Sequence, residues 1–164
     1  MKVIIITGTP CTGKTSLAKM ISQKLKFKLI NVNELINQEK ICEAYDKEKE
    51  CNIVDIKKMK TVLIKKIRES KNDVIIESHF SHKIPKTYVD LCLVTKTDLK
   101  VLNQRLQKRG YSKQKIRDNL DVEIFDLCLT EAQEAGHNVL IVDTTHKINK
   151  EELLKEIKKR LKLK

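Results

Sequence analysis

Tryptophan is absent from the chain, and phenylalanine and tyrosine occur three times each, so only 4% of positions are aromatic. That scarcity argues against a surface that stacks the bases of single-stranded nucleic acid on rings. Glycine occurs four times and proline twice, too few for a low-complexity linker, and no internal repeat is present. No apolar run approaches the ~18 residues that a membrane span requires. Met1 leads directly into a strand-like segment instead of a cleavable leader, so a cytoplasmic protein is expected. Cys11, Cys42, Cys51, Cys92 and Cys128 are an odd set without a Cys-x-x-Cys pair. Reduced thiols are therefore the expectation, and the close ligand pairs of a structural zinc site are missing.

What is abundant is positive charge. Lys and Arg number 34 against 22 Asp and Glu, a formal net charge of +12, which points to polyanionic company beyond a single nucleotide. The 164 residues suffice for one domain with a real core.

Two of the four glycines fall in Gly8-Thr9-Pro10-Cys11-Thr12-Gly13-Lys14-Thr15, which has the spacing of a phosphate-binding loop. The context is right on both sides. Lys2–Thr7 is a β-branched run that reads as a buried strand, and Leu17, Ala18, Ile21 and Leu25 recur at helical spacing. Strand, Gly-rich turn and helix together let backbone N–H groups and a helix N-terminus wrap a polyphosphate. Lys14 would reach the β- and γ-phosphates, and the Thr15 hydroxyl would help hold Mg²⁺.

The remaining chain alternates strand and helix patterns. Strands are expected at 27–32, 73–77, 88–95 and 138–143. Helices are expected at 33–37, from Asp55 over Ile56, Met59, Val62, Leu63 and Ile67, from an N-cap at Thr97 to Gly110, from Ser112 as one long helix to Gly136, and from Asn149 onward. Glu43 to Cys51 reads as an exposed, irregular excursion. The expected architecture is α/β, a P-loop NTPase-type doubly wound, mostly parallel five-stranded sheet with helices on both faces. Ligands in such sheets bind beyond the carboxyl ends of the strands, which gathers Gly8–Thr15, Asn31–Glu34, Glu77–His79 and Asp143–Thr145.

Glu77, at the end of an apolar strand, is placed to orient Mg²⁺ or its waters. His79 should point to the same side and bond Glu77, a metal-bound water or a phosphate. Arg105, Arg109 and Arg117 surround the break at Gly110 and could close over ATP. Cys11 lies beside a helix N-terminus, where its backbone N–H could serve a phosphate and its oxidation or alkylation would obstruct nucleotide entry. His82 carries a weaker signal, and His137 and His146 read as loop residues.

The phosphate loop, Ile30-Asn31-Val32, Tyr45-Asp46 with Cys51 and Asp55, Glu77-Ser78-His79, Arg105 to Tyr111, and Asn119 to Ile124 together resemble the adenylate kinase isoenzyme six family over nearly the whole chain. The resemblance implies phosphoryl transfer from MgATP to AMP, giving two ADP, with a slower ATPase activity. It also implies involvement in small ribosomal subunit assembly, with a small-subunit ribosomal protein or rRNA as partner. Carried over by position, Cys11, Gly13, Lys14, Thr15 and Ser16 would hold the ATP phosphates, with Arg109 in the lid; Arg105, from its spacing on the same helix, is expected to bind ATP with it. The catalytic group would be Lys14, Glu77, His79 and Arg109, and Thr15 and Glu77 would serve the metal. One domain, 1–164, would carry an acceptor-binding excursion near 31–54 and a short lid near 108–118. Three positions depart from the family pattern. Cys11 replaces a Gly, which a Cβ tolerates only away from positive φ. Asn37 and Lys86-Thr87 stand where many members place arginines for the acceptor phosphate, leaving Lys28, Lys40 or Lys86 as substitutes. An ATPase-type assembly factor and a kinase for another small acceptor remain the alternative functions.

Overall fold

The computed structural model describes residues 1–39, 41–46 and 51–163. Val3–Gly8 forms β1 and is buried along its whole length, as befits a strand covered on both faces. There follow α1 (Lys14–Leu25), β2 (Lys28–Asn31), α2 (Val32–Gln38), β3 (Cys42–Asp46), β4 (Cys51–Val54), α3 (Ile56–Glu69) and β5 (Val74–Glu77). Two short 3-10 turns, Ser81–Lys83 and Lys86–Tyr88, lead to β6 (Leu91–Lys96). The chain then forms α4 (Leu99–Lys108), α5 (Lys113–Ile124), α6 (Leu127–Glu134), β7 (Val139–Asp143) and α7 (Lys150–Leu161).

Five strands form one sheet in the order β2-β5-β1-β6-β7, and every pairing in it is parallel. Successive side chains of a strand face opposite ways, so two apolar layers result. Val3 and Ile5 join Met59, Leu63 and Ile67 of α3 and Ala132 of α6 on one face. Ile4 and Ile6 meet Leu17, Ala18 and Ile21 of α1 and Ile157 and Leu161 of α7 on the other. Each such aliphatic side chain contributes roughly 1.5–3 kcal/mol when fully buried. Because β1 is central, the chain leaves it toward β2 and β5 on one side and later toward β6 and β7 on the other. The crevice between those two directions opens at the carboxyl end of β1.

The doubly wound expectation holds, and four local readings need correction. Residues within Glu43–Cys51 do not all form an irregular excursion: β3 and β4 pair as an antiparallel two-stranded sheet, and residues 47–50 lie outside the described residues. Exposure of Tyr45 and Ile53 removes the alternation that normally betrays a strand. The α4 cap is Asp98, whose carboxylate accepts from the N–H groups of Lys100 (2.9 Å) and Val101 (3.3 Å), while Thr97 is turned inward. Strand β6 starts at Leu91, because Tyr88 belongs to the preceding 3-10 turn. Finally, the long helix from Ser112 is two helices, broken where Asp126 takes a left-handed conformation (φ 53°). Lys96 Nζ donates to the Glu123 carbonyl (3.2 Å) and to the Asp126 carboxylate, satisfying the end of α5. Among the described residues no helix is long and apolar enough to cross a membrane.

Candidate active site

At the end of β1 the backbone must pass so close to β6 that a Cβ on Gly8 would lie 2.3 Å from Thr95 Oγ1 and 2.7 Å from its carbonyl oxygen. Gly8 has φ 141° and Gly13 φ 84°, both in territory that favours glycine. Gly13 also caps α1, with no side-chain cap and no acidic residue in the first turn. The positive end of α1 is thus left for an anion.

The loop is held from outside by hydroxyls. Thr12 Oγ1 donates to the Thr9 carbonyl (2.7 Å) and pairs with Thr95 Oγ1 at 2.6 Å. Thr144 Oγ1 donates to the Thr12 carbonyl (2.7 Å) and Thr97 Oγ1 lies 2.6 Å from Thr144 Oγ1. Inside it, the Lys14 ammonium donates to the carbonyls of Gly8 and Thr9, both at 2.9 Å. Lys14 is 8% exposed, and burial holds its pKa below the ordinary lysine value despite Glu77. Thr15 Oγ1 donates to Glu77 Oε2 at 3.2 Å, so the two residues expected to serve a metal already meet.

A cleft of about 980 Å³ spreads from this loop, the upper part of the usual ligand-pocket range. Lys14, Thr15, Ser16, Glu77, His79, Arg105 and Arg109 all line it. A second cavity of about 490 Å³ shares Cys11, Gly13, Ser16 and Arg105 with it and is walled by Leu17, Met20, His146 and Ile148. Arg105 is fixed there by Nη2 donating to the Thr144 carbonyl at 2.7 Å. Arg109 is exposed, with its guanidinium 5.7 Å from the Tyr111 ring centroid, and Lys115 Nζ lies 4.3 Å from the same ring. Arg117 is not brought in: it bonds Asp121 one turn on at 3.2 Å, and its side chain is 74% exposed.

His79 counts as exposed, yet the protein around its ring withdraws it from bulk water. That burial, then the charges of Lys14 and His82, push its pKa down to about 4, so it is neutral near pH 7. His82, the weaker candidate in the sequence, is firmly held. It is 2% exposed, with Nδ1 2.7 Å from Thr7 Oγ1 and Nε2 2.6 Å from Glu131 Oε2. Burial lowers its pKa, with the Glu131 carboxylate opposing. His137 is likewise buried, its Nε2 2.9 Å from the His82 carbonyl.

Three further findings concern the departures from the family pattern. Cys11 adopts φ 66°, so its Cβ sits in the conformation expected to require glycine. Lys28 begins β2, where its N–H bonds the Asp73 carbonyl at 2.8 Å, and Lys86 packs against Gly136. Both stand at the amino ends of the strands, away from the cleft, and Lys40 lies outside the described residues. Lys83, unnoticed in the sequence, does line the cleft, and its ammonium lies 2.8 Å from Glu131 Oε2. Glu123 was also missed as a separate feature, although Asn119–Ile124 carried part of the resemblance. It is 5% exposed and accepts from Thr9 Oγ1 at 2.5 Å.

A family model described as "AAA domain" matches residues 4–126. A protein of Pyrococcus abyssi named "Putative adenylate kinase" is 36% identical over 155 residues, covering 94% of this chain and 81% of its own length. An "Adenylate kinase isoenzyme 6 homolog" of Dictyostelium discoideum is 34% identical over 144 residues, covering 85% and 79%. The chain belongs to the adenylate kinase isoenzyme 6 family. As a member of that family it is an adenylate kinase-like phosphotransferase of the nucleoside monophosphate kinase class. Its fold is also that of a shikimate kinase from Acinetobacter baumannii, with TM-score 0.65, 18% identity, and coverage of 99% and 94%.

Two outcomes are expected. Cys11→Gly should raise stability by up to about 1 kcal/mol in denaturant titration, because a side chain in the left-handed region carries a strain of about that size. His79 and His82 have folded pKa values below their unfolded value of about 6.5. The unfolded chain then binds more protons as pH falls, so their contribution is complete above pH ~6.5 and is lost as pH falls below it, that of His79 toward about 4. The denaturation midpoint should drop between pH 7 and 5, and drop less in His79→Gln; equal drops would contradict the assignment.

Proposed function

We propose that the chain transfers the γ-phosphoryl group of ATP to AMP, giving two ADP, with slow ATP hydrolysis when no acceptor is bound. The observation that carries this reading is the convergence of Lys14, Thr15, Glu77 and neutral His79 on one mouth of a cleft with room beyond the donor loop for a second nucleotide. The triphosphate takes the amides of Cys11, Gly13, Lys14, Thr15 and Ser16, and Lys14 exchanges two carbonyls for phosphate oxygens. The base of ATP occupies the cavity beside Leu17, Met20 and Ile148, bordered by Arg105.

Thr15 and Glu77 fit a Mg²⁺ ion, since a hydroxyl and a carboxylate are the hard oxygen donors that it prefers; Thr15 would hold it directly and Glu77 through water. Among the described residues no group of three or more His, Cys, Asp or Glu forms a metal cage, which suits an ion held largely by phosphates. Bound there, Mg²⁺ supplies neutralisation of the charge on the β- and γ-phosphates.

The acceptor phosphate is itself the nucleophile, so the protein's work is positioning and charge stabilisation. His79, neutral and within the cleft, orients an oxygen without taking a proton. Arg109 and Lys115, together with Lys108, form the lid segment, near 108–118, that closes on the donor phosphates. On the β5 side Lys83 is the cation available to the acceptor's phosphate. The excursion near 31–54 covers the acceptor.

With MgATP and AMP, ADP should form at least tenfold faster than with MgATP alone, and Lys83→Met should raise the KM for AMP about tenfold while leaving that for ATP unchanged. Equal rates with and without AMP would reject the kinase reading. The net charge of +12 favours a second role beside this one, nucleotide-controlled binding of a small-subunit ribosomal protein or rRNA. Such a partner should be retained differently in ATP and ADP in a pull-down with small-subunit components; the same retention in both states would exclude it.

A further inference from the structure

Glu123 is a carboxylate taken almost wholly out of water, which is unfavourable unless its oxygens are well partnered. Its partners are informative. Oε2 accepts from Thr9 Oγ1 at 2.5 Å and Oε1 from the Thr97 N–H at 2.9 Å, with Lys96 Nζ 3.5 Å away. Thr9 is the residue whose carbonyl takes the Lys14 ammonium, the Thr12 hydroxyl and the Thr12 N–H. Glu123 therefore grips by its side chain the same residue that the phosphate-seeking lysine grips by its backbone.

Its place in the fold adds a second connection. Helix α5 starts at the Ser112 cap, next to Tyr111, and Lys115, Asp118, Asn119 and Val122 of that helix line the cleft. The helix that walls the cleft is thus rooted, through its last turn, in the donor loop.

We propose that Glu123 is a positioning residue for the donor nucleotide. By fixing Thr9 it keeps the loop in its phosphate-ready shape when Lys14 leaves the two carbonyls for the phosphates, and it ties the α5 wall to that loop. The competing account is that Glu123 merely balances Lys96. The two differ in what they predict for ATP affinity.

This inference rests on nucleotide binding by the loop, so the first measurement is calorimetry of MgATP with the wild-type chain; absence of binding there would remove the functional reading as a whole. Given binding, Glu123→Ala and Thr9→Val should each weaken MgATP by tenfold or more, and the double variant should be no more than twofold weaker than either, because both remove the same hydrogen bond. Thr9→Ser, which keeps the hydroxyl, and Lys96→Met should stay within twofold of wild type. At saturating ATP the rate should fall less than threefold, and the KM for the acceptor should not move. The proposal is overturned if Glu123→Ala binds MgATP within twofold of wild type, if its effect and that of Thr9→Val multiply, or if Lys96→Met matches it. Should Glu123→Ala fail to fold, the Thr9→Val and Thr9→Ser pair decides by the same criterion.

Discussion

A buried ammonium resting on two main-chain carbonyls is the contact on which the rest of the site depends. Lys14 fills the loop between Gly8 and Thr9 where phosphate oxygens would otherwise have to draw the backbone together. The shape of the loop is thus held by the protein's own groups, and a loop so held needs less ordering on binding. The exchange is also favourable in sign. A cation whose charge burial disfavours gains most from the arrival of a highly charged anion.

Around that cation the charges are graded. Glu77 meets Thr15 at the mouth, Glu123 stands behind Thr9, and the Arg109, Lys108 and Lys115 side chains line the far wall. The two acids close to the lysine keep the site from being a bare patch of positive charge, while Arg109 and Lys115 of the outer group lie against the Tyr111 ring. Neutral His79 lies between the two regimes, able to bond oxygen without adding repulsion to Lys14. Cys92, buried in the sheet with its thiol pushed up to about 12 by burial, takes no part in this chemistry and serves as a small core residue.

The sequence made the frame legible because each frame element has a local signature. The β-branched run of β1, the glycines of the turn and the 3.6-residue period of α1 and α3 need no distant partner to be recognised. Glu123 could not be recognised that way. Its hydroxyl partner lies 114 positions away, and a glutamate in an amphipathic helix reads as wet surface, whereas here Glu123 is buried and the neighbouring Ile124 is exposed. Lys83 hides similarly, as one lysine among many until the end of β5 carries it into the cleft. The four threonines that brace the loop come from three separate segments, and only the sheet brings them together. Arg117 shows the opposite failure: a guanidinium near the right turn, captured by Asp121 on its own helix.

The sheet order also bears on how the molecule is made. β1 is flanked by β5 and β6, with Val3 opposite Val74 and Ile4 opposite Leu91. During synthesis β1 therefore waits until the chain has reached β5 before either of its edges can pair, and such distant closures slow folding. Until then its run of isoleucines is an unpaired, adhesive segment. The stretch that becomes the most deeply protected part of the enzyme is, during biosynthesis, the part most in need of shelter.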